Sequence, residues 1–160
     1  MVEHPNLQRR LVLHGAIILL IGLLSGYAAV FEEVSRSGRR TWIAAHSAFL
    51  LTGVWLIATA AILPLLELPP RERKALLLSL TGGAYSFMTA VLIQAVTGVR
   101  AISPDVAGIS LVAFGANLLA FLGTAVAASL TILGAWNALR ASRQTAPEDL
   151  SSEVGTHAVG

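Results

Sequence analysis

His46 is the only ionisable side chain in an otherwise uncharged run from Thr41 to Leu66. A polar ring in so apolar a stretch needs a partner, and the available kinds are a carbonyl, a water-filled cavity, a proton path or a metal. Gly53, seven residues on, shares its helical face and offers a smooth wall to something flat. Periodicity alone leaves two readings of His46 open. It is either a neutral packing histidine bonded to a carbonyl, Ser47 or Thr52, or a ligand to a metal or cofactor. His14 lies near the start of the first apolar run and reads as a snorkelling or amide-bonded interfacial residue. His14 and His46 fall near opposite faces, so one chain does not clamp one iron with both. His4 and His157 are close to the chain ends.

The chemistry around these histidines is bounded by what is missing. There are no cysteines, so thiolate catalysis, iron–sulfur clusters and Cys-held haem or zinc are excluded. The polar side chains inside the apolar runs are Tyr27, Thr52, Trp55, Tyr85, Thr89, Gln94 and Asn117, and no carboxylate occurs between Glu33 and Glu67 or between Lys74 and Asp105. Ion-coupled carriers use intramembrane acids, and hydrolases use a Ser/His/acid set, HExxH or paired acids. Lewis-acid chemistry at a His-held metal, electron transfer and small-molecule binding remain.

The elements that position these residues are membrane spans. With 55% hydrophobic and 12% charged residues and a mean hydropathy of +0.72, the chain is too apolar for a soluble domain. Four apolar segments, 11–31, 41–66, 75–99 and 104–139, are each long enough to cross about 30 Å of hydrocarbon. The fold class expected is an all-α, integral membrane four-helix bundle over residues 1–140, with a polar, disordered tail over 141–160. The first run is too long for the apolar part of a signal peptide and reads as an uncleaved span. Ser103, Pro104 and Asp105 have the order of a helix start. Lys and Arg cluster at the edges of the runs, as membrane anchors rather than a nucleic-acid surface, and their count favours the side of both termini, seven to four. Both termini are therefore expected in the cytoplasm.

Small residues recur at four-residue spacing in Gly22/Gly26, in Gly82/Ser86/Ala90 and in Ala116/Ala120/Thr124/Ala128, the spacing of close helix contact in lipid. Four short helices enclose little volume of their own. A pocket is most naturally completed between subunits of a homo-oligomer.

The residues around His46 resemble a known family. Ala45-His46-Ser47, then Thr52-Gly53, then Ile62-Leu63-Pro64 is similar to the second helix of styrene oxide isomerases, small four-helix membrane proteins with Ala-His-Ser, Asn-Gly and aliphatic-Leu-Pro at those intervals. Leu13-His14-Gly15 is similar to the family's Gly-His-Gly start, and Ile132-Leu133-Gly134 with Ala138-Leu139 to its last helix. About two thirds of the chain is touched by these motifs, and the His-to-Pro spacing is the distinctive one.

The resemblance implies a homotrimer in a bacterial inner membrane that binds ferric haem b between subunits, with His46 as the single axial ligand. It further implies a Meinwald rearrangement, in which an apolar aryl epoxide opens and a hydride shift yields an aldehyde without oxidant, reductant or water. Phe49 and Gly53 are expected to line the flat cofactor, Arg100 to pair with a propionate, and Thr52 and Tyr85 to contact substrate, while Trp55 either lines the cofactor or faces lipid or packing. Two departures stand out. The family's Asn is Thr52, and its third-helix tyrosine falls at Val91, with Tyr85 six positions earlier. The alternative is a non-enzymatic membrane subunit that binds haem or lipid, moves electrons or anchors partners.

Overall fold

The computed structural model describes residues 4–31, 38–99 and 108–144. It holds α1 (His4–Ala28), α2 (Arg39–Ile62) continued by a 3-10 turn (Leu63–Leu65), α3 (Pro70–Thr97) and α4 (Ile109–Gln144). All four are long and apolar enough to cross a membrane, so the expected all-α membrane bundle is the fold.

The helix ends differ from those of the apolar runs. Helix α1 starts at His4 rather than residue 11, taking in Arg9 and Arg10, and α3 starts at Pro70 rather than 75. Hydropathy marks lipid depth, whereas a helix continues through Arg, Glu and Lys, which are good helix formers. Pro70 suits a first turn because its missing N–H has no helical acceptor there. Helix α3 stops where Gly98 turns left-handed at φ 74° and its N–H bonds the Gln94 carbonyl. Helix α4 begins at Ile109, because Gly108 at φ 85° cannot continue a right-handed helix. The expected start at Ser103–Asp105 lies outside the described residues. Helix α4 runs to Gln144, past the boundary expected at 140, and the tail from 145 lies outside the described residues. At 36 residues α4 is about 54 Å long, well beyond one crossing.

Helix α1 packs along α2 and α3 along α4, and the two hairpins meet chiefly through α2 and α3. Each hairpin crosses where two glycines face each other. A Cβ on Gly53 would lie 2.8 Å from the Gly15 carbonyl oxygen, and one on Gly123 would lie 2.7 Å from the Ser79 oxygen and 3.0 Å from Gly83 Cα. Gly82, by contrast, faces open space. The α2–α3 connection is seated on α4: the Glu67 N–H donates to the Gly134 carbonyl at 3.2 Å, and Asn137 Nδ2 donates to the Glu67 carbonyl at 3.2 Å. One core cluster lies toward that connection (Leu11, Leu63, Leu76, Leu80), and another lies toward the far side (Ile18, Phe49, Leu56, Met88).

Candidate functional site

His46 faces α1. Its Nδ1 lies 2.6 Å from the Gly22 carbonyl oxygen; a carbonyl only accepts, so Nδ1 carries the proton and donates. That assigns the tautomer and leaves the Nε2 lone pair free of any protein partner among the described residues. Of the expected partners, the carbonyl is the one used, and it comes from the neighbouring helix rather than from Ser47 or Thr52. Gly26 makes the approach feasible, since a Cβ there would stand 2.8 Å from Nδ1 and 3.1 Å from Cε1. The pair read from spacing as packing, Gly22 and Gly26, thus holds the ring from two sides. A metal-bound histidine generally donates its other N–H to a carbonyl or carboxylate, which fixes the ring and raises its basicity. His46 has that arrangement.

The ring is half-buried beside an apolar surface. By helical spacing it is flanked by Leu23, Tyr27 and Ile43, which are 48–70% exposed. One turn before it on α2, the Trp42 indole N–H is buried without an acceptor among the described residues. Those residues hold no group of three or more His, Asp or Glu able to share a metal.

The other expected site residues do not gather around His46. Phe49 is 0% exposed and belongs to the bundle core. The wall expected at Gly53 is covered by Gly15 and Leu19 of α1. Both are therefore packing residues within this chain, because the face they share with His46 is the face α1 covers. Tyr85 shares a 3.0 Å hydrogen bond with His14 Nδ1, the two rings meeting edge to face at 86°. His14 is eight positions from Gly22 and twelve from Gly26 on α1, so this pair sits about 12–18 Å along the axis from His46. That separation keeps Tyr85 away from His46 of the same chain, and His14, expected to snorkel or to bond an amide, is bonded to the Tyr85 phenol. Arg100 lies outside the described residues.

Thr52 lies elsewhere again. Six residues beyond His46 is about 240° around the helix, and that turn carries Thr52 to a cleft between α2, α3 and α4. The cleft has a volume of about 340 Å³ and is lined by Thr52, Trp55, Phe87, Asn117, Phe121 and Thr124 over a floor of Gly83, Ala84 and Ala120. The Thr52 hydroxyl donates to its own helix at Ala48 O, 2.8 Å. Sequence reasoning found Asn117 only as a polar residue at depth and Thr124 only as a small one. Their convergence with Thr52 depends on which helices become neighbours.

A family model described as styrene oxide isomerase matches residues 7–136 of the chain. No curated protein matches it.

Proposed function

Because the chain belongs to the styrene oxide isomerase family, we propose that it is a membrane isomerase converting an apolar aryl epoxide to an aldehyde, with haem b held by His46 where subunits of a homotrimer meet. The observation that carries this reading is the His46 ring, tied through Nδ1–H to Gly22 O at 2.6 Å with Nε2 free. The residues fit the group. A porphyrin supplies four equatorial nitrogens, so one histidine suffices where no cluster of three protein ligands occurs among the described residues. The exposed apolar side chains flanking His46 suit a macrocycle, and the unpaired Trp42 N–H suits its carboxylate edge.

Ferric haem bound there supplies a Lewis acid toward the epoxide oxygen. The rearrangement breaks the benzylic C–O bond and moves one hydride to the neighbouring carbon, so its atoms balance without an added reactant. The protein's share is to hold the His46 ring at a fixed angle and to keep water from the electron-poor carbon with apolar side chains. No carboxylate acid is required, in accord with the uncharged spans. His14, committed to Tyr85 and about 12–18 Å along α1, is not placed to be a second axial ligand of the same chain's iron. Electron-transfer haems more often have two, and this favours isomerisation over a redox subunit. The charge bias supports an orientation with both termini in the cytoplasm, and the family resemblance supports a bacterial inner membrane.

The test is an optical spectrum of protein purified from haem-replete cells, followed by chromatography of products from a panel of aryl and alkyl epoxides. A Soret band and an aldehyde are expected; His46→Ala loses or displaces the band and His14→Ala keeps it. A colourless preparation overturns the haem assignment, and a haem protein that forms no aldehyde supports the non-enzymatic alternative.

A further inference from the structure

Helices α1 and α3 begin at the same end of the bundle, and the charge there is lopsided. That end carries Arg9, Arg10, Arg71, Arg73 and Lys74, against Glu67 and Glu72 among the described residues. The end of α4, seated beside Glu67 through Asn137, adds Arg140 and Arg143. Two of these cations belong to different hairpins yet line one notch: Arg10 of α1 and Lys74 of α3, with Asn6 and Leu7, enclose about 160 Å³. Arg10, Lys74 and Asn6 are exposed at its rim. The notch opens along the seam where α1 and α3 touch sparsely. Like charges on facing helices repel, and an anion between them turns that repulsion into attraction. One to two turns deeper the same helical faces become apolar. Leu13 and Ile17 follow Arg10 at i+3 and i+7, and Leu78 follows Lys74 at i+4, all 38–69% exposed. Donors at the water edge above an exposed apolar track match a lipid better than a soluble anion. The space is smaller than the roughly 300–1,000 Å³ of small-molecule pockets, but a phosphate needs only donors around its oxygens, which Arg and Lys supply.

We propose that this notch binds the phosphate of an anionic phospholipid. The Arg10 guanidinium and the Lys74 ammonium donate charge-assisted hydrogen bonds to its oxygens, the Asn6 amide adds a neutral one, and an acyl chain lies along Leu13, Ile17 and Leu78. Basic pockets between membrane helices are where anionic headgroups are recognised. Arg10 is in the first hairpin and Lys74 in the second, so the lipid bridges the two halves where their own contacts are few. Arg10 is twelve positions from Gly22 on α1, about 18 Å along the axis, so lipid binding here is independent of what His46 holds.

The experiment uses the full chain, delipidated in detergent, and adds dioleoylphosphatidylglycerol, dioleoylphosphatidylcholine or inorganic phosphate. Bound lipid is counted by native mass spectrometry, and stability is read from the melting temperature. Phosphatidylglycerol is expected to bind about tenfold more tightly than phosphatidylcholine, in keeping with two basic side chains at the membrane surface, and to raise the melting temperature. Arg10→Gln and Lys74→Gln each remove most of that preference. The double variant Arg140→Gln/Arg143→Gln leaves it intact, Arg140 being stacked on the Trp136 ring at 5.0 Å. The substituted side chains are exposed, and should one cation variant not fold, the other reads the same loss. Equal binding of the two lipids to the unsubstituted protein overturns the site. So does an Arg140/Arg143 variant that loses as much preference as Arg10→Gln, since the effect would then be one of general surface charge. Inorganic phosphate at millimolar concentration is expected neither to displace the lipid nor to raise the melting temperature; displacement would assign the notch to a soluble anion and overturn the lipid.

Discussion

Gly26→Ala tests whether the carbonyl tether orders the His46 ring. An added Cβ would stand 2.8 Å from Nδ1, 3.1 Å from Cε1 and 3.4 Å from Cγ, whereas an unstrained contact is about 3.5 Å. The ring must retreat by about 0.7 Å, which stretches the 2.6 Å bond to Gly22 O to at most about 3.3 Å, the weak end of hydrogen bonding. Weakening that bond of a half-buried N–H costs at most about 1–3 kcal/mol, the cost of losing it outright. Alanine in place of glycine inside a helix returns about 1 kcal/mol. The obstacle is a movable side chain rather than backbone, so the fold should survive with its melting temperature little changed. The ligand should not survive as well, since loss of a metal-ligand histidine's supporting partner weakens affinity about 10–100-fold. The assay is titration of the haem-depleted protein with haem, followed at the Soret band, beside thermal unfolding of the same preparations. Wild-type affinity and an unshifted band in Gly26→Ala would refute the claim that the tether sets the ring.

Two further outcomes follow from the packing. Gly123→Ala drives a Cβ into the backbone of α3, 2.7 Å from Ser79 O, and should lower stability by about 1–3 kcal/mol; Gly82→Ala meets nothing within 4 Å and should be neutral or stabilising, as thermal inactivation in detergent will show. Tyr85→Phe removes the bond to His14 and should cost about 0.6 kcal/mol, the usual worth of a hydrogen bond between membrane helices, while leaving the Soret band and turnover near wild type; abolished turnover in a folded Tyr85→Phe protein would put the phenol on the substrate after all.

The four spans were legible because lipid forces long uncharged runs, and His46 stood out because nothing else in its run ionises. Helix ends were less legible at Arg9, Arg10 and Pro70, where polarity and helicity part company. The glycine crossings at Gly15/Gly53 and Gly83/Gly123 escaped a search for four-residue spacing, because in each the two residues that meet come from different helices. Phe49 shows the same limit. An aromatic side chain on the His46 helix faces the core or a cofactor according to what covers it, and α1 covers this one. Gly26 carried a usable signal in its spacing from Gly22, but that it makes room for a ring became readable only once α2 was set opposite. For Asn117, residue type announced an unmet need without saying which cleft it faced.

The tether between Gly22 and His46 lies wholly within the first hairpin, whose crossing at Gly15/Gly53 needs nothing from α3 or α4. The iron-binding histidine proposed here can therefore be set while the second half of the chain is still being synthesised. The cleft bearing Asn117, by contrast, does not exist until α4 has been inserted. During biogenesis the ring can thus be oriented before the second hairpin forms, and the α2–α3 connection seated on Gly134 then joins the two halves.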